Sequence, residues 1–239
     1  DRCPPLLRAL IEATGAGAVY WNRRYEPARV AVEAEVERAL DGAEVEARGF
    51  KGSLLFEADE VKTQAGEPYK VFTPFSKMAR ALAVPRKPRP APGKDRMRPP
   101  ASWPEGLSLE ALGLLPDHPW GGKVVAHWPI GETAARRRLH RFCREAIHEY
   151  KTLRDRPDLD ATSRLSPQLH LGTISPWQVW QAGRDAEDAA ETDEQRKGCF
   201  TFLNEVLWRE FSYHLMVHFP QTPERNLRRN FDDFPWRWD

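Results

Sequence analysis

Cysteine is scarce in this sequence, and the three present, Cys3, Cys143 and Cys199, are odd in number and far apart. Neither a disulfide framework nor a zinc-binding spacing can be assembled from them, and a reducing compartment suits them better than an oxidising one. The histidines add no metal motif: His214 and His218 stand four apart, but no acidic third ligand of a recognised type lies nearby. An excess of one charge is also missing, since 36 Lys and Arg face 35 Asp and Glu. Net charge therefore gives no argument for nucleic acid, although a local basic groove can sit within a balanced total. No apolar run reaches membrane-spanning length, and the N-terminus lacks a signal-peptide pattern, so a cytoplasmic protein is expected. No internal repeat and no Ser-His-Asp or Cys-His arrangement is visible.

What is present is enough apolar residue, 41% of 239, to bury a real core in one large domain or two modest ones. Nine tryptophans are many, and most read as large core residues. Both ends read as cut: the chain enters directly into a helix and stops at FPWRWD without a cap.

Residues 5–14 read as an amphipathic helix closed by Gly15, and Ala18 to Asn22 as a buried strand. A helix over Pro27 to Leu40 follows, with Val30, Val32, Val36 and Leu40 on its apolar side. Val45 to Phe50 and Leu54 to Phe56 read as short extended segments, and the alternation argues for a parallel sheet with helices packed on it. Thr73 as N-cap with Pro74 at N1 opens a helix running to about Ala83. The Pro-rich basic run PRKPRPAPGKDRMRPP (85–100) reads as a linker, either a solvated connector or a segment tracking DNA. The sparse stretch to Trp128 continues it, with one short helix at Leu107 to Leu112. From Thr133 onward the pattern is helical: 133–150, then through Leu171, then Trp177 to Ala182 or slightly beyond, and a long helix from Gln195 to Phe219. Acidic 185–194 reads as a loop or frayed end.

In that long helix Glu205, Trp208, Arg209 and Ser212 share one face, while Phe202, Leu203, Val206, Leu207 and Phe211 supply the apolar remainder. The patch reads either as a Glu205–Arg209 i,i+4 pair beside an amphipathic Trp, or as a functional cluster, because ordinary cores avoid charge. Upstream, Thr162-Ser163-Arg164-Leu165-Ser166-Pro167 sets hydroxyls and a guanidinium before a helix start. That suits either a phosphate site or a helix cap with a spare Arg.

Taken in order, WNRRYEP (21–27), PYKVFTPF (68–75), the Tyr150-x-x-x-Arg154-Asp155 spacing, TSRLSP (162–167), LGTISP (171–176) and NEVLWREF (204–211) resemble the photolyase/cryptochrome flavoproteins across almost the whole chain. Among the branches, the sequence looks most like class I cyclobutane pyrimidine dimer photolyases. The fold this implies is α/β plus all-α: a partial Rossmann-like parallel antenna domain (1–84), a linker (85–130), and the N-terminal half of a helical FAD-binding domain (131–239). The resemblance implies FAD contacts at Tyr150, Thr162, Ser163, Arg164, Leu165 and Ser166, and a flavin-cavity position at Arg209. Phe202 stands where several members carry Trp, and joins the FAD set. Arg154 matches a contact to DNA phosphate, and Arg209 is grouped with the DNA-facing set. Glu205 and Trp208 match the pair that hydrogen-bonds and packs against a flipped-out dimer, and Trp236 the surface end of a tryptophan relay to the flavin.

The implied activity is light-driven repair of pyrimidine dimers in DNA by electron transfer from reduced FAD, in a monomer with no membrane partner. The family also has a second antenna chromophore, deazaflavin or folate; Arg48 replaces the carboxylate of folate-type members, which weighs against folate and leaves a deazaflavin or none equally open. The alternative is a cryptochrome-type blue-light sensor without repair. Downstream flavin contacts and the inner relay tryptophans have no match before Asp239, so weak FAD retention and no repair are expected of the isolated polypeptide.

Overall fold

The computed structural model describes residues 3–83, 90, 92–114, 118–235 and 237. Helix α1 (Cys3–Thr14), strand β1 (Ala18–Asn22), helix α2 (Pro27–Leu40) and strand β2 (Glu46–Phe50) come first, and the two strands pair in parallel from Ala18↔Glu46 to Asn22↔Phe50. This is the expected α/β unit. Its strand is not buried, however: Tyr20 is 56% exposed, because β2 is the only strand hydrogen-bonded to β1 among the described residues. On α2, Val36 and Leu40 are buried while Val30 and Val32 stay exposed. Val30 lies roughly 120° around the helix from Val36, too far to share its stripe.

Leu54, Leu55 and Phe56 are fully buried but form no strand. The Leu55 N–H donates to the Glu210 carboxylate at 2.8 Å and the Phe56 N–H to the same oxygen at 3.3 Å, so a side chain 155 residues away takes the place of a neighbouring strand. Helix α3 (Phe72–Leu82) starts one residue before the expected cap, with Val71 at N-cap and no side-chain cap bond. Pro74 is tolerated in its first turn, where N–H groups have no intrahelical partner.

The helical part contains α4 (Trp120–Ala126), α5 (Glu132–Glu145), α6 (Tyr150–Leu153), α7 (Ser166–Leu171), α8 (Pro176–Asp188) and α9 (Asp193–His218). Helix α4 was not legible in the sparse, Gly-containing segment. The single helix expected over 133–150 divides into α5, a 3₁₀ turn at Ile147–Glu149, and α6. Gly198 of α9 explains the close crossing there, since a Cβ on it would collide with the His148 carbonyl. Acidic 185–194 is largely ordered: α8 runs to Asp188, and Thr192 caps α9 in a reciprocal box with Gln195. Ser175 and Gln178 form the same box at α8. No helix among the described residues is long and apolar enough to cross a membrane.

One hydrophobic core joins these parts. Leu55, Val61, Phe75 and Ala79 pack with Phe142, Ile147, Leu165, Trp180, Leu203, Leu207 and Phe211. Helix α3 is further tied to α9 by Arg80, whose guanidinium donates to Asn204 Oδ1 at 3.0 Å and the Phe200 carbonyl at 3.3 Å.

Two titratable groups sit in this seam. Glu210 is 3% exposed and its carboxyl is pushed up to about 7 by burial, against the opposing pull of Arg209 and the two backbone donors. His214 is held down to about 4 by burial and by the neighbouring His218. Because Glu210 binds its proton more tightly in the fold, its contribution is complete below pH 4.5 and is lost as pH rises through about 7. That of His214 is complete above pH 6.5 and is lost as pH falls through about 4. Glu210→Gln keeps an acceptor for both N–H groups and removes the charge. It is expected to match the parent protein near pH 4.5 and to exceed its stability by up to about 3 kcal/mol above about pH 8. Urea unfolding at the two pH values checks this; a loss of stability above about pH 8 that is absent near pH 4.5 would show that the charged form is required.

Candidate functional site

A cavity framed by these helices has a volume of ≈ 600 Å³ and opens beside α9. Four separated stretches build it. The turn of α6 brings Tyr150; the loop before α7 brings Thr162, Ser163, Arg164, Leu165 and Ser166; α9 brings Phe202, Glu205 and Arg209; and Trp128 closes one side. Every residue expected to face the flavin thus lines a single cavity. Its floor is aromatic: Phe202 lies 4.7 Å from Phe142 and 5.5 Å from Tyr150, ring centroid to centroid. Burial raises the Tyr150 phenol, so its hydroxyl stays neutral and able to donate.

The 160–165 loop is held from behind by Arg138. Its guanidinium makes a two-pronged pair with Asp160 at 2.8 and 2.6 Å, and donates to the Thr162 carbonyl at 2.7 Å and the Ser163 carbonyl at 3.0 Å. This pairing keeps the Asp160 carboxyl below the usual carboxylate range. Arg164 has φ 50°, the only positive φ on a non-glycine residue among those described. A non-glycine residue in the left-handed region is held at a cost of order 1 kcal/mol, and such strain gathers at functional sites. The helix-cap reading of this segment is corrected. Leu165 stands at the N-cap of a six-residue helix with no side-chain cap bond, which leaves the Thr162 and Ser163 hydroxyls to the cavity.

On α9 the expected Glu205–Arg209 pair does not form. Glu205 is paired instead with Arg154, from the end of α6, and Arg209 with Glu210 at 3.2 Å. The Arg209 guanidinium also lies 5.0 Å over the Tyr213 ring. The first pair is about one-third exposed at each partner, so it contributes no more than about 1 kcal/mol and can exchange partners readily. Trp208 is not part of the cavity lining. It projects one turn along from Glu205, 44% exposed, with its ring stacked on Phe72 at 3.6 Å and 7°. Trp236 falls outside the described residues. Among those described, no group of three or more His, Cys, Asp or Glu is arranged to hold a metal ion.

Sequence reasoning missed several residues. Trp128 was read as linker, yet it also walls a second cleft of ≈ 460 Å³ beside Arg137, Arg141 and Arg164. The Arg138–Asp160 clamp spans 22 residues, and only the repeated arginines of α5 hinted at it. Phe72 carried no signal beyond the PYKVFTPF motif.

Comparison with known proteins agrees with this geometry. A family model described as DNA photolyase matches residues 2–93. Over 236 residues the chain is 39% identical to the Deoxyribodipyrimidine photo-lyase of Agrobacterium fabrum, an alignment covering 98% of this chain and 48% of that protein. It is 27% identical over 237 residues to Cryptochrome-2 of Arabidopsis thaliana, covering 96% of this chain and 38% of that one. In three dimensions it is similar to the crystal structure of a bacterial class III photolyase from Agrobacterium tumefaciens. The TM-score is 0.85 at 38% identity, covering 99% of this chain and 48% of that chain. The chain spans about half the length of the curated relatives it matches first.

Arg138→Ala removes the anchor of the cavity loop. Unfolding free energy is expected to fall by about 2 kcal/mol, the scale of losing charge-assisted hydrogen bonds. Amide exchange at residues 161–165 should accelerate more than in α8; uniform acceleration would show that the loop does not depend on this clamp.

Proposed function

The chain belongs to the photolyase/cryptochrome family, and from that premise we propose that it carries the flavin-facing and lesion-facing residues of a monomeric enzyme that uses light to split cyclobutane pyrimidine dimers in DNA. The observation that carries this reading is the convergence of Tyr150, residues 162–166, Phe202, Glu205 and Arg209, drawn from separate stretches of sequence, on one ≈ 600 Å³ cavity. A cavity of that volume has room for a dinucleotide in a folded conformation, and its donor set suits one. Hydroxyls of Thr162 and Ser163 and the guanidinium of Arg164 can take a diphosphate, while Phe202 and Tyr150 offer aromatic faces to a fused ring. When bound, FAD supplies the light-absorbing, one-electron chemistry.

The side chains of this protein bind and orient. Arg209 presents a cation at the cavity wall, balanced from behind by Glu210. Glu205 accepts hydrogen bonds from the edge of an extruded pyrimidine pair, and the Trp208 indole packs against it, as in other enzymes that take a base out of the stack. The Arg154–Glu205 pair supports a coupling between these two contacts. Drawing Arg154 onto a DNA phosphate frees the carboxylate for the lesion, so backbone contact and lesion contact reinforce each other. Cavity-lining Trp128 joins the proposed flavin set. Trp236 keeps its proposed place at the outer end of a relay that reduces the flavin. Arg48, whose guanidinium lies 4.7 Å over the Phe50 ring, stands where the resemblance implies a carboxylate in folate-type members, which weighs against a folate antenna and leaves a deazaflavin or none equally open.

The test uses the full gene product that carries this chain, loaded with FAD, on an oligonucleotide containing one thymine dimer under blue light. Glu205→Gln is expected to retain flavin and to weaken dimer binding roughly tenfold, the scale of one charge-assisted hydrogen bond, with a matching fall in repair per photon. Unchanged repair would remove Glu205 from the mechanism. A flavin-loaded parent protein that repairs nothing would point to light sensing instead.

A further inference from the structure

The stack of Phe72 on Trp208 calls for a physical account that stability does not supply. Phe72 opens α3, and Trp208 projects from α9; their rings lie 3.6 Å apart and within 7° of parallel. Aromatic pairs left to themselves favour offset or edge-to-face arrangements over a close face-to-face sandwich. The surrounding rings follow that preference: Phe211 meets Phe72 edge-on at 5.9 Å and Trp208 at 6.0 Å. Burial does not explain the stack either, since Trp208 remains 44% exposed.

The anchoring of Phe72 does explain it. Helix α3 is fixed by Phe75 and Ala79, both fully buried, and by the bonds from Arg80 to Asn204 and Phe200 of α9. Asn204 immediately precedes Glu205. The same contact therefore sets the height of α3 along α9 and the position of the Phe72 ring relative to Glu205. A tryptophan on an exposed helix face would otherwise sample several rotamers, and ordering it on binding would weaken the complex.

We propose that Phe72 is a positioning residue for lesion recognition: it covers one face of the Trp208 indole and holds the ring plane so that the opposite face meets an extruded base beside Glu205. This rests on the reading of Trp208 as the lesion-packing residue, and it makes the α/β portion of the chain part of the lesion pocket. The residue acts through Trp208 and touches neither the flavin nor the reacting bonds.

The test compares Phe72→Ala, Phe72→Leu and Trp208→Ala in the FAD-loaded full gene product. It measures flavin content, melting temperature, and the ratio of affinities for dimer-containing and undamaged oligonucleotides. Trp208→Ala is expected to lower that ratio roughly tenfold, as for loss of one base–aromatic stack. Phe72→Ala should lower it by a similar factor with flavin content unchanged. Phe72→Leu should recover the melting temperature, because it refills the volume, yet fail to recover the ratio, because it offers no flat face. If leucine restores both, Phe72 is packing alone and the inference falls. If the ratio drops with Trp208→Ala but not with either Phe72 variant, the inference falls while the reading of Trp208 stands. An unchanged ratio with Trp208→Ala overturns that reading and the inference together.

Discussion

The rest of the structure depends on a single buried carboxylate. Glu210 accepts the N–H groups of Leu55 and Phe56 and is paired with Arg209. Without it, a fully buried, non-strand stretch of backbone would leave two donors unsatisfied, each costing about 1–3 kcal/mol. The contact closes a 155-residue separation at one point. Residues 54–56 meet α9 there, α3 packs along α9 on both sides of it, and Arg209, the residue before it, lines the cavity while Glu210 turns inward. A charged group at such a seam is a less obvious choice than an apolar one. Its geometry is more demanding, and that fits a seam whose alignment sets distances in a site.

Local chemistry made much of this legible. The start of α8 near Ser175, the five-residue strands and the long α9 follow from patterns within ten residues, and the sequence shows them with small errors of boundary; the Thr192 cap lies inside acidic 185–194, which reads as a loop or frayed end. The ordered motifs were equally legible as a resemblance, and the residues they grouped together line the same ≈ 600 Å³ cavity. What was not legible depends on partners far away in sequence. Glu205 was paired by helical spacing with Arg209, four residues on, whereas its partner is Arg154, 51 residues back. Spacing identifies who can meet along one helix, but a neighbouring helix that comes closer wins. Leu54 to Phe56 looked extended because they are apolar; nothing in those three letters announces that a glutamate will serve as their ladder.

The same distinction separates the two halves of the candidate site. Its inner wall is fixed by interactions within the helical part: the Arg138 clamp on the Asp160 carboxylate and the 162–163 carbonyls, the Phe142–Tyr150–Phe202 triangle, and the buried Leu165. Four hydrogen bonds from one guanidinium and three buried rings act together, so the wall is stiff. The outer edge is built differently. Glu205 holds Arg154 in a pair about one-third exposed, and Trp208 rests on Phe72 with much of its ring in solvent.

Stiffness and exchangeability are suited to different tasks. A site that retains a tightly bound dinucleotide gains from rigid walls, because no ordering cost is met on binding. A site that must accept a damaged base from solution and release the repaired product gains from groups that are already paired but weakly so. Had Glu205 faced the cavity alone, its carboxylate would have been fully hydrated and would have to shed that water at each encounter. Had it been paired in a dry interior, breaking the pair would cost several kcal/mol. A one-third-exposed partner lies between these limits, and on the proposed reading a phosphate drawn to Arg154 makes the exchange productive, since one binding event supplies new partners to both ions. The division between stiff and exchangeable surfaces runs along α9 itself. Phe202 and Val206 are buried, Glu205 stands at the cavity part-exposed, Trp208 lies out in solvent beyond it, and Glu210 pins the helix in the register that separates them.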